Sequence, residues 1–132
     1  MSCVRTPTVP DTGTLHDDLT EMFTSLEQPL ADGDLQRVFP QMIAAAKVND
    51  EVAAAYRSFI AERRRPMRSV LERAVARGEL AADLDLDLVH DLLVAPVLYR
   101  WLVSDGPIDE RVTASIVQIV LAGVHALPRV GA

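Results

Sequence analysis

The chain has 132 residues, which suffice for one domain with its own core but not for two ordinary domains. Hydrophobic residues make up 49% of the sequence, which excludes a disordered chain, and the 5% aromatic content predicts a core of Leu, Val and Ala. The formal net charge of −6 repels phosphate backbones, so this polypeptide by itself is a poor candidate for binding DNA or RNA.

The sequence carries no signal for export or for a membrane. Residues 2–5 are too short and polar for a signal peptide. The apolar runs near 92–103 and 114–127 contain polar residues and fall short of the roughly 18–20 residues that a span requires. The single cysteine, Cys3, cannot form an internal disulfide. We therefore expect a cytoplasmic protein.

Residues 1–13 show no periodic apolar pattern and predict an extended leader. The first predicted helix begins near Thr14 and is closed by Pro29 and the turn at 31–34. A second helix is predicted over 35–47, bent or restarted at Pro40.

The next predicted helix is long. Asn49 caps it, Pro66 kinks it, and it ends near Arg77 with Gly78 as the stop. A fourth helix is capped by Asp83 or Asp85 and extends to about residue 103, and a fifth begins at Asp109 and Glu110. No strand or repeat pattern is found. The prediction is an all-α domain over 14–127 with about five helices in an antiparallel bundle, and a tail at 128–132.

The fifth helix has too much apolar surface for one core. Its two apolar stripes together cover roughly 200° of the circumference, whereas packing on one core needs an arc of about 100°. The fourth helix, over 84–103, has the same excess. We expect these two helices to form a four-helix bundle with a second copy of the chain, through the following interface residues: Leu88, Leu92, Pro96, Tyr99, Val112, Ile116, Ile119, Val120, Gly123 and Leu127.

An ordered set of short motifs carries a family resemblance. The motifs are Val9-Pro10-Asp11-Thr12-Gly13-Thr14-Leu15 with Asp18-Leu19, Arg63-Arg64-Arg65-Pro66, Leu71-Glu72-Arg73-Ala74, Arg77-Gly78-Glu79-Leu80, Asp85-Leu86-Asp87, Pro96 with Tyr99-Arg100, and Leu121-Ala122-Gly123. In this order and spacing, over about 9–127, the sequence resembles the C-terminal domain of TetR-family transcriptional regulators.

The resemblance implies a ligand pocket and a dimer interface made by the last two helices. In that family a separate N-terminal helix-turn-helix domain binds operator DNA. We expect that domain to be missing here, because nothing upstream of Leu15 supplies a recognition helix. The chain would then be an isolated effector domain or a natural protein that has lost its DNA reader, and DNA would be contacted only through a domain not present here.

Methionine and aromatic residues at helical spacing could line a pocket for an apolar or aromatic effector, or could be ordinary core. These candidate pocket residues are Met22, Phe23, Phe39, Met42, Tyr56, Phe59, Met67 and Tyr99. A homodimerising module with a filled core and no ligand is the rival hypothesis.

Other candidate sites are weaker. Asp87, His90 and Asp91 share a helix turn, but one face offers too few ligands for a closed metal site, so a solvated surface is favoured over a metal-binding protein or enzyme. The arginines at 63–65, with Arg68, are interpreted as a solvated, salt-bridged face rather than a phosphate or nucleic-acid patch. Arg100 is expected to pair structurally or at the interface rather than to contact ligand. No catalytic motif is found, and no metal or other cofactor is expected.

Overall fold

The described part of the chain, residues 9–128 of a computed structural model, is built of helices joined by short loops. Its elements are α1 (Leu15–Ser25), α2 (Glu27–Ala31), α3 (Gly33–Val48), α4 (Asp50–Ala76), α5 (Leu86–Tyr99), a π-helical turn (Arg100–Ser104) and α6 (Glu110–Ala126). No strand occurs among these residues, and five of the helices have 11 residues or more. The all-α prediction is confirmed. The predictions for residues 1–8, including Cys3, and for 129–132 concern positions outside the described residues.

Side-chain caps start the helices where the sequence indicates. The side-chain oxygens of Thr14, Asn49, Asp85 and Asp109 each accept a hydrogen bond from a backbone N–H in the first turn of the helix that follows, at 2.9 to 3.3 Å. Each bond satisfies an N–H that has no partner within the helix. Of the two candidates for the fourth predicted helix, Asp85 is the residue that caps α5.

Four prolines of the described residues, Pro29, Pro40, Pro66 and Pro96, lie inside helices without interrupting them. The first helix ends at Ser25, and Pro29 sits in the short α2 that follows. The restart considered at Pro40 does not occur, since α3 is one helix, and α4 likewise continues through Pro66. A proline removes one bond of the helical ladder, and the bonds on either side hold the helix together. Gly78, with φ of +82°, follows the end of α4 as predicted.

The core lies between four helices. α1 packs against α4 and α6, α4 packs against α5, and α5 packs against α6. The largest fully buried apolar side chains are Leu19, Val70, Leu71, Leu93, Val97 and Val117. α3 packs along α4 on the outside of this group and contributes no buried residue. The chain therefore has a closed four-helix core and a less covered pair formed by α3 and the beginning of α4.

Candidate functional site

An apolar surface on α5, its π-helical turn and α6 is not covered by the rest of the chain. Six large apolar side chains on it are each about half exposed or more: Leu88, Leu92, Tyr99, Val103, Ile119 and Leu127. Pro96 and Gly123 are exposed between them. We call these eight residues the α5–α6 face. Large exposed apolar surfaces mark interaction sites in globular proteins.

The opposite sides of the same helices fill the core. On α5, Val89, Leu93 and Val97 are buried. On α6, Ile116 and Val117 are buried within the chain itself. The prediction that these helices are apolar on two sides is thus confirmed, with one side in the core and one side exposed.

The predicted interface residues divide between these two sides. Leu88, Leu92, Pro96, Tyr99, Ile119, Gly123 and Leu127 are exposed. Val112 and Val120 are half-buried against the core, and Ile116 belongs to the core. A Cβ atom built on Gly123 would meet nothing within 4 Å, so packing within the chain does not require a glycine there. The open helix surface at Gly123 leaves room for close approach by another backbone.

The candidate pocket residues also fall into groups. Met22, Phe23 and Met67 are part of the buried core cluster. Phe39, Met42, Tyr56 and Phe59 are half-buried on α3 and the first half of α4, and Tyr99 is exposed on the α5–α6 face. The eight residues therefore do not line one common cavity.

Three aromatic rings meet where α3 approaches the π-helical turn. The Phe39 ring lies 6.5 Å from Tyr56 and 5.9 Å from Trp101, centroid to centroid, with interplanar angles of 63° and 60°. Both geometries are edge-to-face, which aromatic quadrupoles favour. We call Phe39, Tyr56 and Trp101 the aromatic seam. Sequence analysis missed Trp101, although a single tryptophan inside an apolar segment was a signal that could have singled it out.

Open depressions on the surface lie elsewhere. One of about 360 Å³ lies between the leader and α1 and is lined by Pro10, Glu21, Met22, Thr24 and Ser25. Met22 is the one candidate pocket residue in that lining. Another of about 60 Å³ lies between the end of α6 and the loop after α4. Neither depression touches the aromatic seam.

The Asp87, His90 and Asp91 cluster is tied to arginines of α4. Arg64 donates to Asp91 Oδ1 at 2.7 Å, and Arg68 donates to Asp87 Oδ1 at 2.6 Å. The interpretation as a solvated surface was wrong for His90, which is buried beside these pairs. Burial lowers the pKa of His90 below its ordinary value, and the nearby Arg64 guanidinium lowers it further. Its Nδ1 lies 3.8 Å from Asp91 Oδ1, so the neutral ring makes no hydrogen bond there.

The arginine run forms the predicted salt-bridged face. Arg65 donates to Glu62 and Arg68 to Glu72, at 2.7 and 2.9 Å. Arg100 has the expected structural role, since its Nη1 donates to the Pro107 carbonyl at 2.8 Å across the turn that follows.

A buried carboxylate holds the leader, which sequence analysis did not foresee. Asp18 is fully buried, and its Oδ1 accepts hydrogen bonds from the backbone N–H and the hydroxyl of Thr12, both at 2.7 Å. Arg77 Nη2 lies 3.6 Å from the other oxygen. Arg73 donates to the Pro10 carbonyl at 2.8 Å. Residues 10–12 are thereby fixed to α1 through Asp18 and to the end of α4 through Arg73.

Two kinds of site are absent from residues 9–128. No group of three or more His, Cys, Asp or Glu side chains there is placed to hold a metal ion. None of the helices in that range is both long and apolar enough to cross a membrane.

Comparisons with known proteins agree with this fold. A family model described as tetracyclin repressor-like, C-terminal domain, matches residues 9–120. A solved structure described as the TetR family transcription regulator SCO0332 superposes with a TM-score of 0.79 at 29% identity, over 90% of this chain and 66% of that one. The domain is of the class that forms the C-terminal regulatory part of transcriptional regulators. The chain belongs to the tetracyclin repressor-like C-terminal domain family.

Curated relatives carry names of the same kind. The uncharacterized HTH-type transcriptional regulator YdeS of Bacillus subtilis is 29% identical over 119 residues, which are 89% of this chain and 60% of the relative. The DNA-binding transcriptional repressor TetR of Mycobacteroides abscessus is 32% identical over 112 residues, which are 84% of this chain and 58% of the relative. This chain thus matches about 60% of the length of these relatives. The relatives are transcriptional regulators, which is a non-enzyme kind of protein.

Proposed function

We propose that this domain forms a homodimer through the α5–α6 face and binds a small apolar or aromatic effector in a TetR-like transcriptional regulator. The observation that supports a dimer is the uncovered α5–α6 face. In a dimer, α5 and α6 of the second copy would cover it. A symmetric pair buries the same patch on both subunits, so each exposed side chain counts twice.

Effector binding is supported by the loose packing of α3. None of its side chains is buried, whereas α1 alone buries five residues. Helices held by few buried contacts open at low free energy, and ligand-binding elements are commonly drawn from such regions. A ligand that prefers one arrangement of these helices would shift the population toward it.

DNA contact is proposed to come from a helix-turn-helix domain outside the matched region, as the names of the relatives suggest. In a full-length dimer, the effector would change the spacing of two such domains. The coupling requires different affinity of the effector for the two arrangements.

The oligomeric state tests the first half of the proposal. Sedimentation velocity at micromolar concentration should give a particle of twice the 14.4 kDa chain mass. A single species of 14.4 kDa at the highest soluble concentration would refute the homodimer.

Thermal unfolding against a panel of compounds tests the second half. A ligand that binds only the folded protein raises the melting temperature in a saturable way. We expect this response from uncharged aromatic or apolar compounds such as naphthol, indole or decanol, and none from glycerol as the polar control. A flat response across the panel would favour the rival hypothesis of a dimerising module with a filled core.

A further inference from the structure

The described part of the chain has one region with many buried side chains and one region with almost none. In α4, the buried residues begin at Pro66, and none of the side chains over 50–65 is buried. α3 contributes none either. We call α3 together with residues 50–65 the hairpin lobe.

Trp101 joins the hairpin lobe and α2 to the core. Its indole N–H donates to the Leu30 carbonyl of α2 at 2.9 Å. Its own carbonyl accepts from the side-chain amide of Gln36 on α3 at 2.7 Å, and the Phe39 ring packs against the indole. Moving α3 away from the core would therefore break these contacts, all of which involve Trp101.

The element that carries Trp101 is irregular. Residues 100–104 form a π-helical turn, and turns of this type occur frequently at functional sites. Within this turn and the residue before it, Trp101 is buried while Tyr99 and Val103 are exposed on the α5–α6 face. Because Trp101 lies only two residues along the backbone from each of them, a movement of the indole would also move residues of that face.

We propose that an uncharged, planar aromatic effector binds at the aromatic seam, where it enters between α3 and the π-helical turn and takes the ring position of Phe39 against Tyr56 and Trp101. The proposal rests on the proposed effector-sensing function and locates its site. The seam is closed in this structure, so binding displaces Phe39 toward solvent, as in cryptic sites that a ligand opens.

The chemistry of the lining sets the ligand class. The side chains that meet at the seam are aromatic or amide groups without formal charge: Gln36, Phe39, Tyr56 and Trp101. An aromatic ring would keep the edge-to-face contacts that Phe39 now makes. A charged ligand would lose its hydration there without an ionic partner, which is strongly unfavourable.

The test uses the single tryptophan of the chain as a site-specific probe. In the nitrogen-15 labelled, full 132-residue protein, one indole N–H signal is expected in a two-dimensional NMR spectrum, and it belongs to Trp101. Titration with naphthol should move this signal in a saturable way, with the dissociation constant that calorimetry gives for the same compound. Benzoate, which is anionic, serves as the charged control and should leave the signal in place.

Three leucine variants separate contact at the seam from an indirect effect. Tyr56→Leu removes one aromatic neighbour and should weaken naphthol binding about 2- to 10-fold, the ratio for one aromatic pair. Phe39→Leu removes the ring that must be displaced and should strengthen binding. Phe59 was a candidate pocket residue in the sequence, but its half-buried ring lies under Arg63 and has no ring contact with the aromatic seam, so Phe59→Leu is the matched control and should leave the affinity unchanged. The spectrum of each variant shows directly whether it is folded.

The outcomes distinguish the site from the function. Calorimetric binding of naphthol without a shift of the Trp101 signal, or equal weakening by Tyr56→Leu and Phe59→Leu, would overturn the seam while effector sensing stands. Neither heat nor a shift for any aromatic member of the panel would overturn both the seam and the proposed sensing of aromatic molecules.

Discussion

Replacing Ile119 by aspartate should separate two copies of the chain without unfolding either. The Ile119 side chain is 71% exposed in the single chain. Fully burying an isoleucine contributes about 1.5–3 kcal/mol, so covering that exposed part is worth about 1–2 kcal/mol per copy. The side chain occurs twice in a symmetric interface, so the total is about 2–4 kcal/mol. We therefore expect the dimer dissociation constant to rise by roughly thirtyfold to several hundredfold.

The same helix provides the contrast. Ile116, three residues earlier, is only 9% exposed and packs in the core of its own chain. Ile116→Ala should lower the unfolding free energy by about 2–5 kcal/mol, as for other isoleucines truncated in a core. The Ile119→Asp monomer should match the wild-type monomer within about 0.5 kcal/mol. Sedimentation over a dilution series measures association, and urea unfolding below the dissociation constant measures the fold.

The control is an exposed valine outside the face. Val48, the last residue of α3, is 87% exposed. Val48→Asp introduces the same charge as Ile119→Asp and should leave association unchanged. If Ile119→Asp dimerised as tightly as wild type, or if Val48→Asp weakened the dimer equally, the α5–α6 face would not be the interface.

Three further predictions concern the fold around the site. His90 is held neutral in the folded chain, while its pKa in the unfolded chain is about 6.5, so stability should fall as pH drops through that value, and urea unfolding should show a smaller fall in His90→Gln. Asp18→Ala should speed hydrogen exchange at the Thr12 amide about 10- to 150-fold, because a hydrogen bond to a charged group contributes about 1.5–3 kcal/mol. Gly78→Ala should destabilise by about 1–2 kcal/mol in thermal or urea unfolding because of its positive φ, whereas Gly33→Ala, in open space at the start of α3, should not.

Each of these has an outcome that would contradict it. An identical pH dependence in His90→Gln would show that burial does not keep this ring neutral. Unchanged exchange at Thr12 would mean that Asp18 does not hold the leader in solution. If Gly78→Ala and Gly33→Ala destabilised the protein equally, the positive φ of Gly78 would not be the cause of the effect.

Local sequence signals located the beginnings of three helices, whereas the first helix ends at Ser25, before the predicted stop at Pro29. The caps at Thr14, Asn49 and Asp109 depend on side chains two or three residues from the amides they satisfy, so a short stretch of sequence contains both partners. The two-sided character of α5 and α6 was also predictable, since helical periodicity places each residue around one axis.

Contacts between distant residues were out of reach. Trp101 meets Leu30 and Gln36, 71 and 65 positions away, and no pattern along the chain pairs them. Asp87 and Asp91 flank His90 in the sequence, and this pattern predicts a surface position for the ring. In the structure the two carboxylates pair with arginines of α4 at the surface, while the ring is buried. For the same reason, the sequence could not show which candidate pocket residues lie in the core and which lie at the aromatic seam. Helical spacing identifies an apolar face but not the element that covers it.

The seam and the α5–α6 face share the π-helical turn, and thermodynamic linkage makes that connection measurable. If naphthol binds the dimer more tightly than the monomer by some factor, saturating naphthol must strengthen dimerisation by the square of that factor, because each dimer holds two sites. In this test Ile119→Asp is expected to supply the monomer, and the wild-type chain the proposed dimer. Calorimetry on both gives the factor, and sedimentation of the wild-type chain with and without naphthol gives its square independently. If naphthol bound the monomer and the dimer with equal affinity and left the dimer dissociation constant unchanged, effector binding at Trp101 would not be coupled to dimerisation. The effector would then have to act through another route, such as the leader held by Asp18 and Arg73.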